Sequence, residues 1–158
     1  DDLVATYPDA RILWLHRDPV SCIPSVASLM LTFQGAMTRS PAPEAVGAHV
    51  DWMYGTGLQR AMDHDTRSAS PAWCHHLQYT ALVADPLAAL RAAYAHFGEE
   101  LSSEHERRAV AWVGQLSRKA GRHRYGAADF GLTEGGLRER HRAYTERYSV
   151  TYEKDRGV

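Results

Sequence analysis

ILWLHRDPVSCIPSVASL, residues 12–29, joins an apolar run, an arginine, an Asp-Pro pair and a series of small residues. The run from Ile12 to Leu15 has strand length and is nearly all apolar, which is typical of a parallel strand covered on both faces. Asp18 can cap a helix and Pro19 can occupy its first turn. The stretch therefore predicts a strand, a short loop and a helix.

The helix after this strand raises two questions. Pro24 lacks the backbone donor of a helix interior, so we expect the regular helix to begin nearer Ile23. No residue from Pro19 to Thr38 is charged, which is long enough for a membrane span to be considered. Pro24, Gly35 and the serines make a poor hydrocarbon segment, so we predict a buried helix and no membrane span.

Composition indicates one ordinary globular domain. The chain has 158 residues and a mass of 17.6 kDa, long enough for a real core. We therefore predict a single partial domain over residues 1–158. Hydrophobic residues make up 44% and charged residues 23%, with a net charge of -1 and a pI of about 6.8. No global field recruits nucleic acid or an anionic membrane, so any anion site must be local.

Cysteine content and the first residues add two expectations. Two cysteines, Cys22 and Cys74, are too few for a disulfide framework. We therefore expect a reducing, cytoplasmic location. The sequence opens with DDLVATYPDAR, which runs directly into a strand. We interpret the chain as a fragment that lacks an upstream part.

The remaining pattern alternates helices and strands. Residues 43–63 carry apolar side chains at helical spacing, and residues 73–82 form a weaker strand candidate. Asp85, Pro86 and Gly98 bound a clear helix. Ser103 and Glu106 have capping-box spacing before another helix, and a last helix is expected over about 134–148. This alternation predicts an α/β fold, a parallel sheet flanked by helices.

Arg17 is the main candidate for ligand binding. In open α/β sheets, ligands bind beyond the carboxyl ends of strands, where Arg17 lies. A guanidinium there can grip a phosphate with two hydrogen bonds, and Ser25, eight residues later, can donate another. The alternative is an arginine paired with an acid on the surface, and Asp18 adjoins it.

Two other groups of residues are candidate binding sites. Cys74, His75 and His76 include metal-ligand types, but neighbouring strand residues point to opposite faces, so we predict no metal site. The segment SRKAGRHRYGAADFGL, residues 117–132, predicts a basic loop that binds a small phosphate, with a solvated surface loop as the alternative. The neutral pI of the chain and the lack of interleaved aromatics in the basic run 118–124 argue against nucleic acid. Its basic residues are Arg118, Lys119, Arg122 and Arg124.

Three blocks resemble the sulfotransferase family, in its bacterial-type branch. YPDARILWLHRDPVSCIPSVASL, residues 7–29, is similar to the block that binds the 3′-phosphate of 3′-phosphoadenosine 5′-phosphosulfate. LQYTALVADPLAALRAAYAHFG, residues 77–98, resembles a second block, whose tyrosine lies near adenine. GRHRYGAADFGLT, residues 121–133, resembles the C-terminal signature, a basic loop that closes over the nucleotide.

The resemblance implies a P-loop-NTPase-like sheet and a role for each matching residue. Arg17 and Ser25 would hold the 3′-phosphate, and Tyr79, otherwise an ordinary strand residue, would lie by adenine. The basic residues of residues 118–124 would close over the nucleotide. The family's glycine-rich loop and general base lie upstream of the 3′-phosphate block, so no residue here is assigned as catalytic. The N-terminal P-loop part of the fold is expected to be missing.

The implied function is transfer of a sulfuryl group from that phosphosulfate co-substrate to a hydroxyl or amine of a small molecule or carbohydrate. On this interpretation the chain carries the 3′-phosphate and adenine part and is inactive alone. Two alternatives remain from the sequence: a noncatalytic nucleotide-binding remnant, and an interaction domain in which the basic residues only decorate the surface.

Overall fold

The computed structural model describes residues 2–37, 42–67, 72–116 and 125–153. Most of these residues are helical, and the two strands are short. In chain order the elements are α1 (Asp2–Thr6), β1 (Ile12–His16), α2 (Pro19–Met37), α3 (Pro43–Arg67), β2 (Cys74–Gln78), α4 (Tyr79–Ala84), α5 (Pro86–His96), α6 (Ser103–Leu116), a 3-10 helix (Ala127–Phe130), α7 (Glu134–Arg140) and α8 (Arg142–Arg147).

The chain divides into two compact units. The first contains Asp1–His16 and Asp65–His123, and the second contains Arg17–His64 and Arg124–Val158. In the first unit β1 and β2 pair in parallel, with Ile12 opposite Cys74 and His16 opposite Gln78. The predicted parallel pairing of these two segments is confirmed.

Helices α5 and α6 of the first unit begin where short polar side chains accept from free amides. The Asp85 carboxylate accepts from the Ala88 amide at 2.9 Å, and Pro86 follows it in the first turn. At the start of α6 the capping hydroxyl is that of Ser102, which accepts from the His105 amide at 3.2 Å. The prediction that Ser103 caps this helix was wrong by one residue, since Ser103 is already helical.

The core of the second unit is assembled around α2. Its buried side chains are Val20, Ile23, Ala27, Val46, Val50, Ala127, Phe130 and Leu137. The helix is continuous from Pro19 through Pro24, so the prediction of a regular start near Ile23 was wrong. Pro24 is itself buried, and its ring adds apolar packing where one backbone hydrogen bond is lost.

Burial of α2 is limited to its first half. Leu29, Phe33 and Met37 are 55%, 60% and 85% exposed, so the predicted buried helix is buried only as far as Ala27. By length and composition α2 would be able to cross a membrane, a test that the core helices of soluble proteins also pass.

The predicted last helix over 134–148 is divided at His141 into α7 and α8. The His141 ring is buried and its Nε2 lies 2.8 Å from the Asp51 Oδ1 in α3. The other Asp51 oxygen pairs with Arg140 at 2.6 Å. This buried carboxylate holds the end of α7 and the residue at the break against α3, since an unpaired buried charge is costly.

Gly47 and Gly57 in α3 offer a matched test of packing. A Cβ on Gly47 would lie 2.3 Å from the Phe130 carbonyl oxygen, whereas a Cβ on Gly57 meets nothing within 4 Å. We expect Gly47→Ala to lower the free energy of unfolding by about 1–3 kcal/mol through overpacking. Gly57→Ala should raise it by up to about 1 kcal/mol, because alanine favours helix. Urea denaturation measures both, and equal effects would contradict the described approach of α3 to the 3-10 helix.

Candidate functional site

Arg17 lies directly after β1, and its guanidinium is engaged by a carboxylate. Its Nε donates to Glu153 Oε1 at 2.7 Å and its Nη2 donates to Glu153 Oε2 at 3.1 Å. The two side chains are 34% and 22% exposed, so the pair is neither solvated nor fully buried. The sequence alternative of an arginine paired with an acid is therefore present, with Glu153 as the acid in place of the adjacent Asp18.

Asp18 is buried and organises the backbone around Arg17. Its Oδ1 accepts from the Val20 amide at 2.9 Å, which caps α2 as predicted. Its Oδ2 accepts from the Glu153 amide at 3.1 Å and from the Ser21 hydroxyl at 3.4 Å. One carboxylate thus ties the start of α2 to the segment that carries Glu153.

Cys22, Tyr54 and Tyr144 border the Arg17 guanidinium. Burial raises the pKa of the Cys22 thiol to about 11, against the opposing charge of Arg17. Burial likewise raises the pKa of Tyr144 to about 12, against a hydrogen bond from the Arg17 backbone N–H, and it raises the pKa of Tyr54. These three groups stay protonated near neutral pH, so none of them is an activated nucleophile.

Ser25 is exposed on α2, in the same unit as Arg17. Residues four apart lie on one face of a helix. Ser25 is therefore one turn beyond Ser21, whose hydroxyl is beside Asp18. Ser25 is therefore exposed on the same face of α2 as Ser21.

The other predicted site residues fall in different places. Tyr79 is half-buried and is the first residue of α4, so its interpretation as a strand residue was wrong. Gln78 before it pairs with His16 before Arg17. The predicted basic loop residues, Arg118, Lys119, Arg122 and Arg124, lie outside the described residues.

Sequence reasoning missed a histidine pair in the first unit. His16 Nε2 lies 2.8 Å from His76 Nδ1, and the rings stack with centroids 5.1 Å apart. His76 Nε2 is 3.5 Å from Asp65 Oδ1. His75 instead contacts His96, with centroids 4.7 Å apart, so the predicted opposite orientation of His75 and His76 is confirmed. The available signal was one histidine at the end of the first candidate strand and another within the second, but the sequence does not give the register that brings them together.

His16 is 1% exposed, and its environment favours the neutral ring. Burial and, to a lesser extent, the neighbouring His76 lower its pKa to about 4, although Asp65 opposes both. Within the described residues, no group of three or more His, Cys, Asp or Glu side chains is arranged to hold a metal ion. The two rings link β1 and β2 through this hydrogen bond and their stacking.

The first unit also contains an apolar cavity of about 380 Å³. Its lining includes Leu13, Leu77, Leu90 and Val113, and it includes Asp85, whose carboxylate already caps α5. A cavity of this kind suits apolar groups rather than a phosphate. None of the Arg17 neighbours contributes to it.

Comparisons with known proteins match this chain to sulfotransferases. A family model described as the sulfotransferase family matches residues 1–103. The crystal structure of sulfotransferase STF9 from Mycobacterium avium is similar, with a TM-score of 0.81 and 24% identity. That of sulfotransferase STF1 from Mycobacterium tuberculosis H37Rv has a TM-score of 0.67 and 32% identity. A search of curated proteins finds no match.

The aligned lengths are unequal. The matches cover 96% and 87% of this chain but only 39% and 34% of the two mycobacterial chains. The chain therefore spans less than half the length of either structure. Over that span its parallel strand pair and surrounding helices have the P-loop-like α/β architecture predicted from the sequence.

The His16 environment predicts a pH-dependent stability. The unfolded His16 takes up a proton near pH 6.5, whereas the folded one does so only near pH 4. His16 should therefore cost no stability above pH 6.5. As the pH falls toward 4, it should lower the free energy of unfolding by up to about 3 kcal/mol. His16→Gln should flatten this slope in urea titrations, with the exposed His49→Gln as the matched control. An unchanged slope in His16→Gln would contradict the burial of a neutral ring.

Proposed function

The chain belongs to the sulfotransferase family, and from this premise we propose that it forms the part of a sulfotransferase that binds 3′-phosphoadenosine 5′-phosphosulfate. The single observation that carries the proposal is the position of Arg17: a partly exposed guanidinium at the carboxyl end of a parallel strand, directly before a helix. Ligands of open α/β folds bind at such ends.

The donor set suits the nucleotide's 3′-phosphate. Arg17 offers planar, paired N–H donors that match phosphate oxygens, and Ser25 offers a hydroxyl on the adjoining helix face. Tyr79 is proposed to lie against adenine, where an aromatic ring stacks on a base. Arg118, Lys119, Arg122 and Arg124 are proposed to close over the nucleotide.

The proposed reaction transfers a sulfuryl group to an acceptor. When bound, the co-substrate supplies the sulfuryl group, and its S–O bond to the phosphate breaks as a bond to the acceptor oxygen or nitrogen forms. The acceptor loses a proton to a base, and 3′-phosphoadenosine 5′-phosphate leaves. We assign no residue of this chain as that base, and we propose that the chain alone is inactive.

The acceptor is proposed to be a small molecule or carbohydrate, with no nucleic acid partner. The near-neutral net charge of -1 supports this choice, since it offers no extended basic surface. The described thiols, Cys22 and Cys74, are both free, which suits the reducing cytoplasm.

Arg17→Ala tests the proposal directly. We expect it to weaken binding of 3′-phosphoadenosine 5′-phosphate by about 1.5–3 kcal/mol, the loss for hydrogen bonds to a charged group. Isothermal titration calorimetry on the folded chain measures the change. Arg107→Ala is the matched control, because Arg107 pairs with Glu104 on the exposed surface of α6. An unchanged dissociation constant for Arg17→Ala would reject the assignment.

Ser25→Ala tests the second donor. We expect a smaller loss of about 0.5–1.5 kcal/mol, as for one neutral hydrogen-bond donor, in the same titration. Ser28→Ala removes a hydroxyl from the next turn of α2 and should have no effect on binding. No nucleotide binding by the unaltered chain would instead favour the interaction-domain alternative. Binding without sulfuryl transfer by the full-length protein would favour the remnant.

A further inference from the structure

We propose that Glu153 is a built-in competitor for the nucleotide's 3′-phosphate, so that the segment ending at Glu153 must release Arg17 when the nucleotide binds. This inference rests on the proposed function of Arg17. It concerns the latch segment, residues 150–153, which joins α8 to the end of the described chain.

The carboxylate copies the way in which a phosphate binds arginine. Glu153 takes two parallel N–H donors, Nε and Nη2, at 2.7 and 3.1 Å. This bidentate arrangement is the one that phosphate oxygens adopt on a guanidinium. A phosphate on the same donors would overlap the carboxylate, and a phosphate on the other edge would lie close to a like charge. Both positions disfavour simultaneous binding.

The local charge balance favours exchange rather than sharing. The described part of the site includes the carboxylate of Glu153, which pairs with the Arg17 guanidinium, and the buried carboxylate of Asp18. Asp18 is committed to the α2 amide and the Ser21 hydroxyl. Glu153 is therefore the anion that can leave without exposing the start of the helix, and its departure makes the Nε and Nη2 donors that it occupied accessible to the phosphate.

The latch segment is held by contacts that are separable from the ion pair. The Val150 amide donates to the Thr145 carbonyl at 2.9 Å, and the Arg138 guanidinium lies 4.1 Å from the centre of the Tyr152 ring. The Glu153 amide donates to Asp18 at 3.1 Å. Since Val150 and Tyr152 keep their own partners, the last residue can detach while the segment stays docked.

Glu153→Gln is the decisive variant, because it removes the charge and keeps the shape. We expect it to tighten binding of 3′-phosphoadenosine 5′-phosphate roughly 5- to 50-fold in calorimetry on the full chain. Glu146→Gln removes a charge from the exposed surface of α8 and should leave the affinity unchanged. In an Arg17→Ala background Glu153→Gln should give no gain, since the two act on one contact.

The outcomes separate the latch from the proposed function. Equal or weaker binding by Glu153→Gln, with a clear loss in Arg17→Ala, overturns the latch and leaves the nucleotide site intact. It would make Glu153 a residue that positions Arg17. Binding by neither the unaltered chain nor Glu153→Gln overturns both proposals.

Hydrogen exchange on the unaltered chain provides a readout that needs no variant. The Glu153 amide should exchange faster at saturating 3′-phosphoadenosine 5′-phosphate, because its bond to Asp18 opens. The Val150 amide should keep its protection. Slower exchange at Glu153 on nucleotide binding would overturn the latch.

Discussion

The carboxylate of Asp18 is the contact on which the second unit and its site both depend. It is 2% exposed and accepts from Val20, Ser21 and Glu153. A buried carboxylate needs such donors because desolvation without them is costly. The same carboxylate caps the start of α2 and holds the backbone of Glu153. Because Glu153 is also the partner of Arg17, Asp18 helps to set the position of that ion pair.

Local signals in the sequence were enough for several elements. Strand β1 followed from its apolar run, and α5 followed from Asp85, Pro86 and the glycine after its end. These signals are short-range, because a cap or a strand run involves residues a few positions apart. For Pro24 the local pattern gave a wrong helix start. The sequence shows that a proline costs one backbone hydrogen bond, but it does not show that the proline ring is buried in the core. The break at His141 escaped for a similar reason, since its cause is Asp51 in another helix.

In the candidate site, too, the local features could be predicted and the long-range contacts could not. The position of Arg17 at a strand end and its capped helix were predictable, whereas its partner Glu153 is 136 residues away. The His16 and His76 contact joins residues 60 apart, and it depends on a strand register that no local pattern specifies. A single sequence ranks Asp18 as the nearest acid to Arg17. It does not reveal that helix capping already commits that acid and makes a distant one the counter-charge.

This commitment explains why a strand-end arginine here carries a carboxylate at all. The Arg17 side chain is only 34% exposed, so its guanidinium loses part of its hydration, and a nearby anion compensates for that loss. The chain must therefore supply an anion near Arg17, or the guanidinium stays partly desolvated without a counter-charge. Because Asp18 caps α2, the counter-charge comes from Glu153, which follows α8 in the chain. Under the proposal above, a phosphate at Arg17 would replace one anion with another, so its affinity would be set by the difference between two ion pairs rather than by the full strength of one.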